Sequence, residues 1–179
     1  MAFSSAVVAA NDYISGRLQP VTPSESEVVA VRYEADFGKD AANIAANLGL
    51  NKVGAIGILP AGCVPVGLIV DSDDLDSTSA LAWSIGLSNT SNASAPGYDA
   101  TDVSIATNDG GAVWASGITV SQAGGQVQPL SKALSRVVPV NYDRAIVVKA
   151  TTASNTSGIT SGKLGVTVLY RAANSYAPY

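Results

Sequence analysis

The feature that most constrains the fold of this chain is a repeated alternation of apolar and polar residues with a period of two. Residues 29–37 place apolar side chains at every second position, with Arg32, Glu34 and Asp36 between them. Successive side chains of a β-strand point to opposite faces of a sheet, whereas a helix repeats every 3.6 residues or so. The stretch therefore predicts a strand with one face in the core and the other in water.

Further stretches show the same alternation, or short apolar runs bounded by Gly, Pro or Asn. They predict strands at residues 53–59, 64–70, 79–87, 113–120, 143–151 and 163–171, the first two joined at Pro60-Ala61-Gly62. Helical periodicity is weak, with one short helix expected in residues 38–50 and one more turn in residues 129–137. Roughly eight short strands with little helix predict an all-β fold, a jelly-roll-like two-sheet β-sandwich.

Two segments do not fit the strand pattern. Residues 1–26, which contain Pro20 and Pro23, are predicted to form an extended N-terminal arm that precedes a β-sandwich domain of residues 27–179. Within that domain, residues 89–111 are polar and rich in turn-forming residues, which predicts a long exposed loop. Loops of this length in compact domains are usually functional or disordered.

The composition excludes several classes of protein. Only 13% of the residues are charged and the net charge is −4, with ten basic residues scattered along the chain. Nucleic-acid binding needs clustered Lys and Arg, so we expect no nucleic-acid partner. The N-terminal apolar stretch is short and lacks a basic region, so we expect neither a signal peptide nor a membrane partner, and synthesis in a cytoplasm. Cys63 is the only cysteine and is interpreted as a small buried core residue.

Four aspartates lie close together after a predicted strand, at Asp71, Asp73, Asp74 and Asp76. Such a run could supply oxygen ligands for calcium. An EF-hand loop counted from Asp71 would need Gly at its sixth position and Glu at its twelfth, where this chain has Asp76 and Ala82. Asp side chains also hydrogen-bond their own backbone in turns. The run is therefore interpreted as a structural turn, and the four aspartates remain weak metal candidates.

The catalytic possibilities are few. The chain has no histidine, which excludes His-dependent triads and His-ligated metals. Trp83 and Trp114 occur in strand-like alternation and are interpreted as core residues rather than as a sugar-binding platform. Residues 158–163, GITSGK, lack the spacing of a phosphate-binding loop. We predict a protein that is not an enzyme, with no catalytic residues and no cofactor.

Five basic residues have two open interpretations. They could form ion pairs with acidic neighbours in an assembly, or they could keep their own strand edges solvated and so prevent unwanted pairing. These residues are Lys132, Arg136, Arg144, Lys149 and Arg171.

Two stretches resemble segments of small structural proteins of tailed bacteriophages. The first is GILPAGCVPVGLIVDSDDLDSTSALAWSIGL, in which two apolar strands flank Leu-Pro-Ala-Gly and an Asp-containing turn precedes a third strand. The second is DRAIVVKATTASNTSGITSGKLGVTVLYR, a strand, a polar loop and a final strand. These phage proteins are similar to capsid decoration (cement) proteins, which are often β-sandwich oligomers. The resemblance covers residues 27–172 and carries no catalytic residues.

The resemblance implies a virion structural protein on the capsid surface. Its partners would be the major capsid protein and other copies of itself, with a trimer as the expected oligomer. The arm would then contact a neighbouring subunit or the capsid rather than contribute to folding. The alternative is a tail or fibre-associated module that binds host glycans, for which Tyr98, Tyr176 and Tyr179 are the candidate contacts.

Overall fold

The computed structural model describes residues 27–78, 80–88 and 113–173. These residues form eight strands: β1 (Val28–Asp36), β2 (Val53–Leu59), β3 (Cys63–Ser72), β4 (Ala82–Leu87), β5 (Val113–Ile118), β6 (Gly125–Val127), β7 (Arg144–Thr152) and β8 (Lys163–Ala172). A single α-helical turn, α1 (Ile44–Asn47), and 3-10 turns at Phe37–Asn43, Val120–Gln122 and Leu134–Arg136 complete the described secondary structure. The all-β prediction with little helix is confirmed.

The strands form two antiparallel sheets of jelly-roll order. The first sheet has the order β1-β8-β3-β6 and the second has the order β2-β7-β4-β5. The first strand, β1, pairs with the last, β8, and the other nested pairs are β2 with β7, β3 with β6 and β4 with β5. Every connection except that from β4 to β5 therefore passes from one sheet to the other. The turn at Pro60-Ala61-Gly62 joins β2 to β3 as predicted, but the two strands lie in different sheets.

The core lies between the two sheets and is built around aromatic side chains. Phe37 and Trp83 stack with their ring centroids 6.2 Å apart. The Tyr33 hydroxyl donates a hydrogen bond to the carbonyl of Ile58 at 2.7 Å. A Cβ at Gly57 would contact the Tyr33 ring, so the close approach of β1 and β2 requires a residue without a side chain at this position.

The predicted helix of residues 38–50 is shorter and less regular than expected. It consists of the 3-10 turn Phe37–Asn43 followed by the four-residue α1. The backbone is non-helical at Asp40, with φ −135° and ψ 50°. The side chain of Asp40 accepts hydrogen bonds from the amides of Asn43 and Asn47 at 2.9 and 3.2 Å. Asp and Asn favour such local bonds over a regular helix, which explains the interruption.

Burial in β1 follows the predicted alternation from Arg32 to Asp36, but the second sheet departs from it. All seven residues of β2 are buried, as are the first five residues of β7, Arg144–Val148. The interpretation of β7 as a strand with one solvent-exposed face is therefore wrong. Consecutive apolar residues on both faces are typical of strands that are covered on both sides. The predicted arm at residues 1–26 and the whole of the predicted loop at residues 89–111 lie outside the described residues.

Candidate functional site

The aspartate run forms the turn between β3 and β4, and Asp76 is its centre. Asp76 is 1% exposed, and its carboxylate accepts five hydrogen bonds. Oδ1 accepts from the backbone N–H and hydroxyl of Thr78 and from the N–H of Asn155, whereas Oδ2 accepts from the N–H groups of Ala80 and Leu81. Since Asn155 lies in the connection between β7 and β8, Asp76 joins two loops at one end of the sandwich.

The pKa of Asp76 reflects these bonds. Burial alone would raise the pKa of this carboxyl group. The backbone hydrogen bonds from Asn155, Leu81, Thr78 and Ala80 outweigh burial and lower the pKa from 3.8 to about 2. Backbone donors favour the ionised form of a buried carboxylate. The charge on Asp76 is therefore part of the folded structure.

The other three aspartates of the run have separate partners. Asp73 accepts a hydrogen bond from the backbone of Lys163 at 2.9 Å, and Asp74 accepts one from the backbone of Asp76 at 3.1 Å. Asp71 lies at the end of β3 and pairs with Arg32. Among residues 27–78, 80–88 and 113–173, no group of three or more His, Cys, Asp or Glu side chains is placed to hold a metal ion.

A charged network covers one end of the outer face of the first sheet. Arg32 contacts both oxygens of Asp71, at 2.5 and 3.1 Å, and it also contacts Glu34 at 2.6 Å. Lys163 lies 2.8 Å from Glu34 and 3.8 Å from Asp36. The hydrogen bonds that Arg32 donates to Asp71 and Glu34 raise the pKa of Arg32, and those that Glu34 accepts from Arg32 and Lys163 lower the pKa of Glu34. Because these side chains are partly or fully exposed, water and salt screen the pairs and each contributes little to stability.

The geometry of this network depends on Gly165 in β8. In the strand register, Gly165 of β8 lies between Glu34 of β1 and Asp71 of β3, and the Arg32 side chain passes over Gly165 to reach Asp71. A Cβ at Gly165 would contact both the guanidinium and the carboxylate. The sequence placed Arg32, Glu34 and Asp36 on one face but gave no indication of the opposing strand, so the pairing with Lys163 and Asp71 was missed.

The five basic residues singled out from the sequence do not gather at one place. Arg144 is buried at the start of β7, and Lys149 is partly buried near the other end of the same strand. Lys132 and Arg136 are exposed. Arg171 donates a hydrogen bond to the carbonyl of Ala172 at 3.3 Å. These positions do not form a basic cluster.

Cys63 and both tryptophans are buried, as predicted. Cys63 is 2% exposed, and Trp83 and Trp114 are 0% and 1% exposed. Burial raises the pKa of the Cys63 thiol, and the nearby Asp143 carboxylate raises it further. The nucleophilic thiolate is therefore disfavoured. Neither tryptophan is available as an exposed platform for a sugar ring.

A groove of about 740 Å³, lined by both apolar and polar groups, lies between the first half of β3 and the segment that follows β6. Its lining includes residues 64–68 of β3 and Leu130 and Leu134 of that segment, with Arg171 of β8 at its side. Leu130 is 99% exposed, Val66 is 47% exposed, and the adjacent Val138 is 66% exposed. Large apolar side chains gathered around one concave surface are characteristic of a binding site for another protein.

Comparisons with known proteins agree with the jelly-roll architecture. A chain of the Ralstonia phage GP4 capsid matches with a TM-score of 0.69 at 23% identity, over 92% of this chain and 97% of that chain. A chain of the cyanophage Pam1 capsid asymmetric unit matches with a TM-score of 0.50 at 18% identity, over 87% of this chain and 94% of that chain. No protein-family model and no curated protein matches the sequence significantly.

At these identities the likeness establishes a shared fold. The resemblance to phage virion proteins inferred from the sequence is confirmed at that level. Coverage of almost the whole of both chains means that the sandwich is the common unit rather than a small shared motif. Among the described residues, no helix is long and apolar enough to span a membrane.

Proposed function

We propose that this protein is a decoration (cement) protein of a phage capsid. The observation that carries the proposal is the nearly complete structural match, with a TM-score of 0.69, to a chain of the Ralstonia phage GP4 capsid. A protein that binds only the assembled shell stabilises that shell by mass action and needs no active site. In this proposal the protein is not an enzyme, is made in the host cytoplasm and is located on the virion surface.

The groove beside β3 is the surface we assign to capsid contact. Leu130 protrudes fully into solvent beside a concave surface, which suits an apolar side chain that enters a pocket of a partner. No negatively charged side chain lines the groove, and Arg171 is its charged member. The complementary site on the major capsid protein would therefore present apolar and acidic groups. Contact among copies of this chain, as a trimer, completes the proposed assembly.

Binding to purified capsids tests the proposal. The intact protein is mixed with expanded capsids that lack it, and bound protein is measured after sedimentation. Stoichiometric and saturable addition is expected, together with greater resistance of the shell to heat. The absence of binding to expanded capsids would contradict the proposal.

A matched pair of substitutions tests the assigned surface. Leu130→Asp should weaken capsid binding about tenfold or more, because burial of a leucine side chain is worth roughly 1.5–3 kcal/mol. Leu50→Asp is the control, since Leu50 is 55% exposed but lies before β2 and outside the groove. Equal binding by the two variants would exclude the groove as the contact surface while leaving the decoration function open.

The alternative function, a tail or fibre-associated module, depends on Tyr98, Tyr176 and Tyr179. All three lie outside the described residues. No feature of the described sandwich favours glycan binding, since both tryptophans are buried.

A further inference from the structure

The outer face of the second sheet is apolar and buried. Five side chains on this face are at most 5% exposed: Val53, Ala55, Ile58, Ala145 and Val147. None of them belongs to the hydrophobic cluster between the two sheets. We refer to these five side chains as the buried outer face.

The strand register shows that these side chains point away from the core. Val147 pairs with Ala55 in β2 and with Gly86 in β4, so these positions share a face. The neighbouring residues Ile146 and Val148 point the other way and belong to the cluster between the sheets. The exposed side of an antiparallel sandwich sheet normally carries polar residues. The burial of Val147 and Ala55 therefore requires a covering segment.

The principal contacts of the described strands and helices do not supply this cover. Among the described strands and helices, β2 packs mainly on β7, β1 and β3, and β7 packs mainly on β2 and β4. These contacts are made through strand pairing, through the sheet edge or through the inner face. The first sheet differs, since its outer face carries the exposed ion pairs of Arg32 and Lys163. The outer face of the first sheet is therefore charged and exposed, whereas the outer face of the second sheet is apolar and buried.

We propose that residues 1–26 of the same chain pack across the buried outer face. These residues lead directly into β1, which lies beside β2 and contacts it through the Tyr33–Ile58 hydrogen bond. Val28 at the start of β1 and Val64 near the start of β3 pair with the same residue of β8, Arg171. Since β2 ends only a short turn before β3, the chain enters β1 at the same end of the sandwich as Ile58.

Length and composition favour this segment as the occupant. A chain of 26 residues can span up to roughly 85 Å, whereas β2 is only about 23 Å long. The segment contains Phe3, Val7, Val8, Ile14 and Leu18, which provide the apolar side chains that such a face needs. The segment between β4 and β5, residues 89–112, contains three aspartates and few large apolar residues. The proposal gives the arm a role within its own subunit, beyond the attachment expected from the sequence.

Two neighbouring valines allow a matched test of this proposal. Val147 and Val148 are both 0% exposed and adjacent in β7, but they face opposite sides of the sheet. Each is changed to cysteine in a Cys63→Ser background, and labelling by a thiol reagent is timed under native conditions. In the full chain both cysteines should be protected. Removal of residues 1–26 should accelerate labelling of Val147→Cys about tenfold or more while Val148→Cys remains protected.

The pattern of labelling decides the outcome. If Val147→Cys stays protected without residues 1–26, another segment or a second copy covers the face and the proposal is wrong. If Val147→Cys in the full chain is protected from labelling at high protein concentration but not after dilution, a second copy covers the face, and the proposal is again wrong. If the shortened chain fails to fold, Ile14→Asp and Leu18→Asp in the full chain replace the deletion. Faster labelling at position 147 but not at 148 supports the proposal, and unchanged labelling at both positions overturns it.

Discussion

Replacement of Asp76 by asparagine should destabilise the protein strongly. The change keeps the shape of the side chain but replaces one acceptor oxygen with an NH₂ donor. Oδ2 accepts two backbone N–H groups, and Oδ1 accepts two N–H groups and one hydroxyl. In either orientation the amide leaves at least two backbone donors facing another donor. Since a buried unsatisfied donor costs roughly 1–3 kcal/mol, we expect a loss of about 3 kcal/mol in the free energy of unfolding at pH 7.

The pH dependence of stability provides an independent estimate of how much the ionised Asp76 carboxylate contributes to the free energy of unfolding. The pKa of Asp76 falls from 3.8 to about 2 on folding. A lowered folded-state pKa adds stability that is complete above the unfolded-state pKa and disappears as the pH falls through the folded-state value. At about 1.4 kcal/mol per pKa unit, the contribution is about 2 kcal/mol. The stability difference between the wild type and Asp76→Asn should therefore narrow by about 2 kcal/mol between pH 4 and pH 2.

Urea unfolding followed by tryptophan fluorescence measures both effects, because Trp83 and Trp114 are buried in the folded state. Asp74→Asn is the matched control, since Asp74 is exposed in the same turn and accepts one hydrogen bond. It should change stability by less than about 0.5 kcal/mol. Equal losses for the two variants, or a stability difference that does not change with pH, would refute the assignment of Asp76 as the centre of the turn.

Three further predictions concern the core and the aspartate turn. Gly57→Ala should lower the free energy of unfolding in urea by about 3 kcal/mol, because the new methyl group would meet the buried Tyr33 ring. Gly165→Ala displaces only flexible side-chain ends and should lower it by less than about 1 kcal/mol. Equal losses for the two variants would contradict this prediction. Trp83→Phe should be about 1 kcal/mol more destabilising than Trp114→Phe, because Trp83 Nε1 bonds a serine at 2.8 Å and Trp114 Nε1 has no partner among the described residues. EDTA should leave the melting temperature unchanged within about 1 °C, and a marked decrease reversed by calcium alone would establish a metal site in the aspartate turn.

The sequence predicted the strands well, because alternation is a local property of the chain. Within the aspartate run, Leu75 is 0% exposed and belongs to the core. The short strand β6 (Gly125–Val127) was not predicted, since three exposed residues give no periodic signal. Its position is determined by pairing with residues 70–72 of β3, which is a tertiary contact.

The buried outer face and the charged network could not be predicted in the same way. The consecutive apolar residues of β2 and β7 contain a signal for burial on both faces, but the alternation assigned to residues 143–151 predicts one solvent-exposed face for β7. The pairing of Arg32 with Asp71 depends on which strand separates β1 from β3 and on the glycine at one position of that strand. Sequence periodicity assigns a residue to a face, but it does not identify the neighbouring strand.

The pairing of the first strand with the last strand also affects how the chain folds. Among the described strands, β1 is hydrogen-bonded only to β8, and Val28 is opposite Arg171. Contacts between residues so distant in sequence raise the contact order, which slows folding because a long loop must close before the contacts form. During synthesis at roughly 5–20 residues per second, β1 has no strand partner until β8 has been made. Its apolar face is exposed until β8 leaves the ribosome, so this jelly roll closes only after β8 has been synthesised.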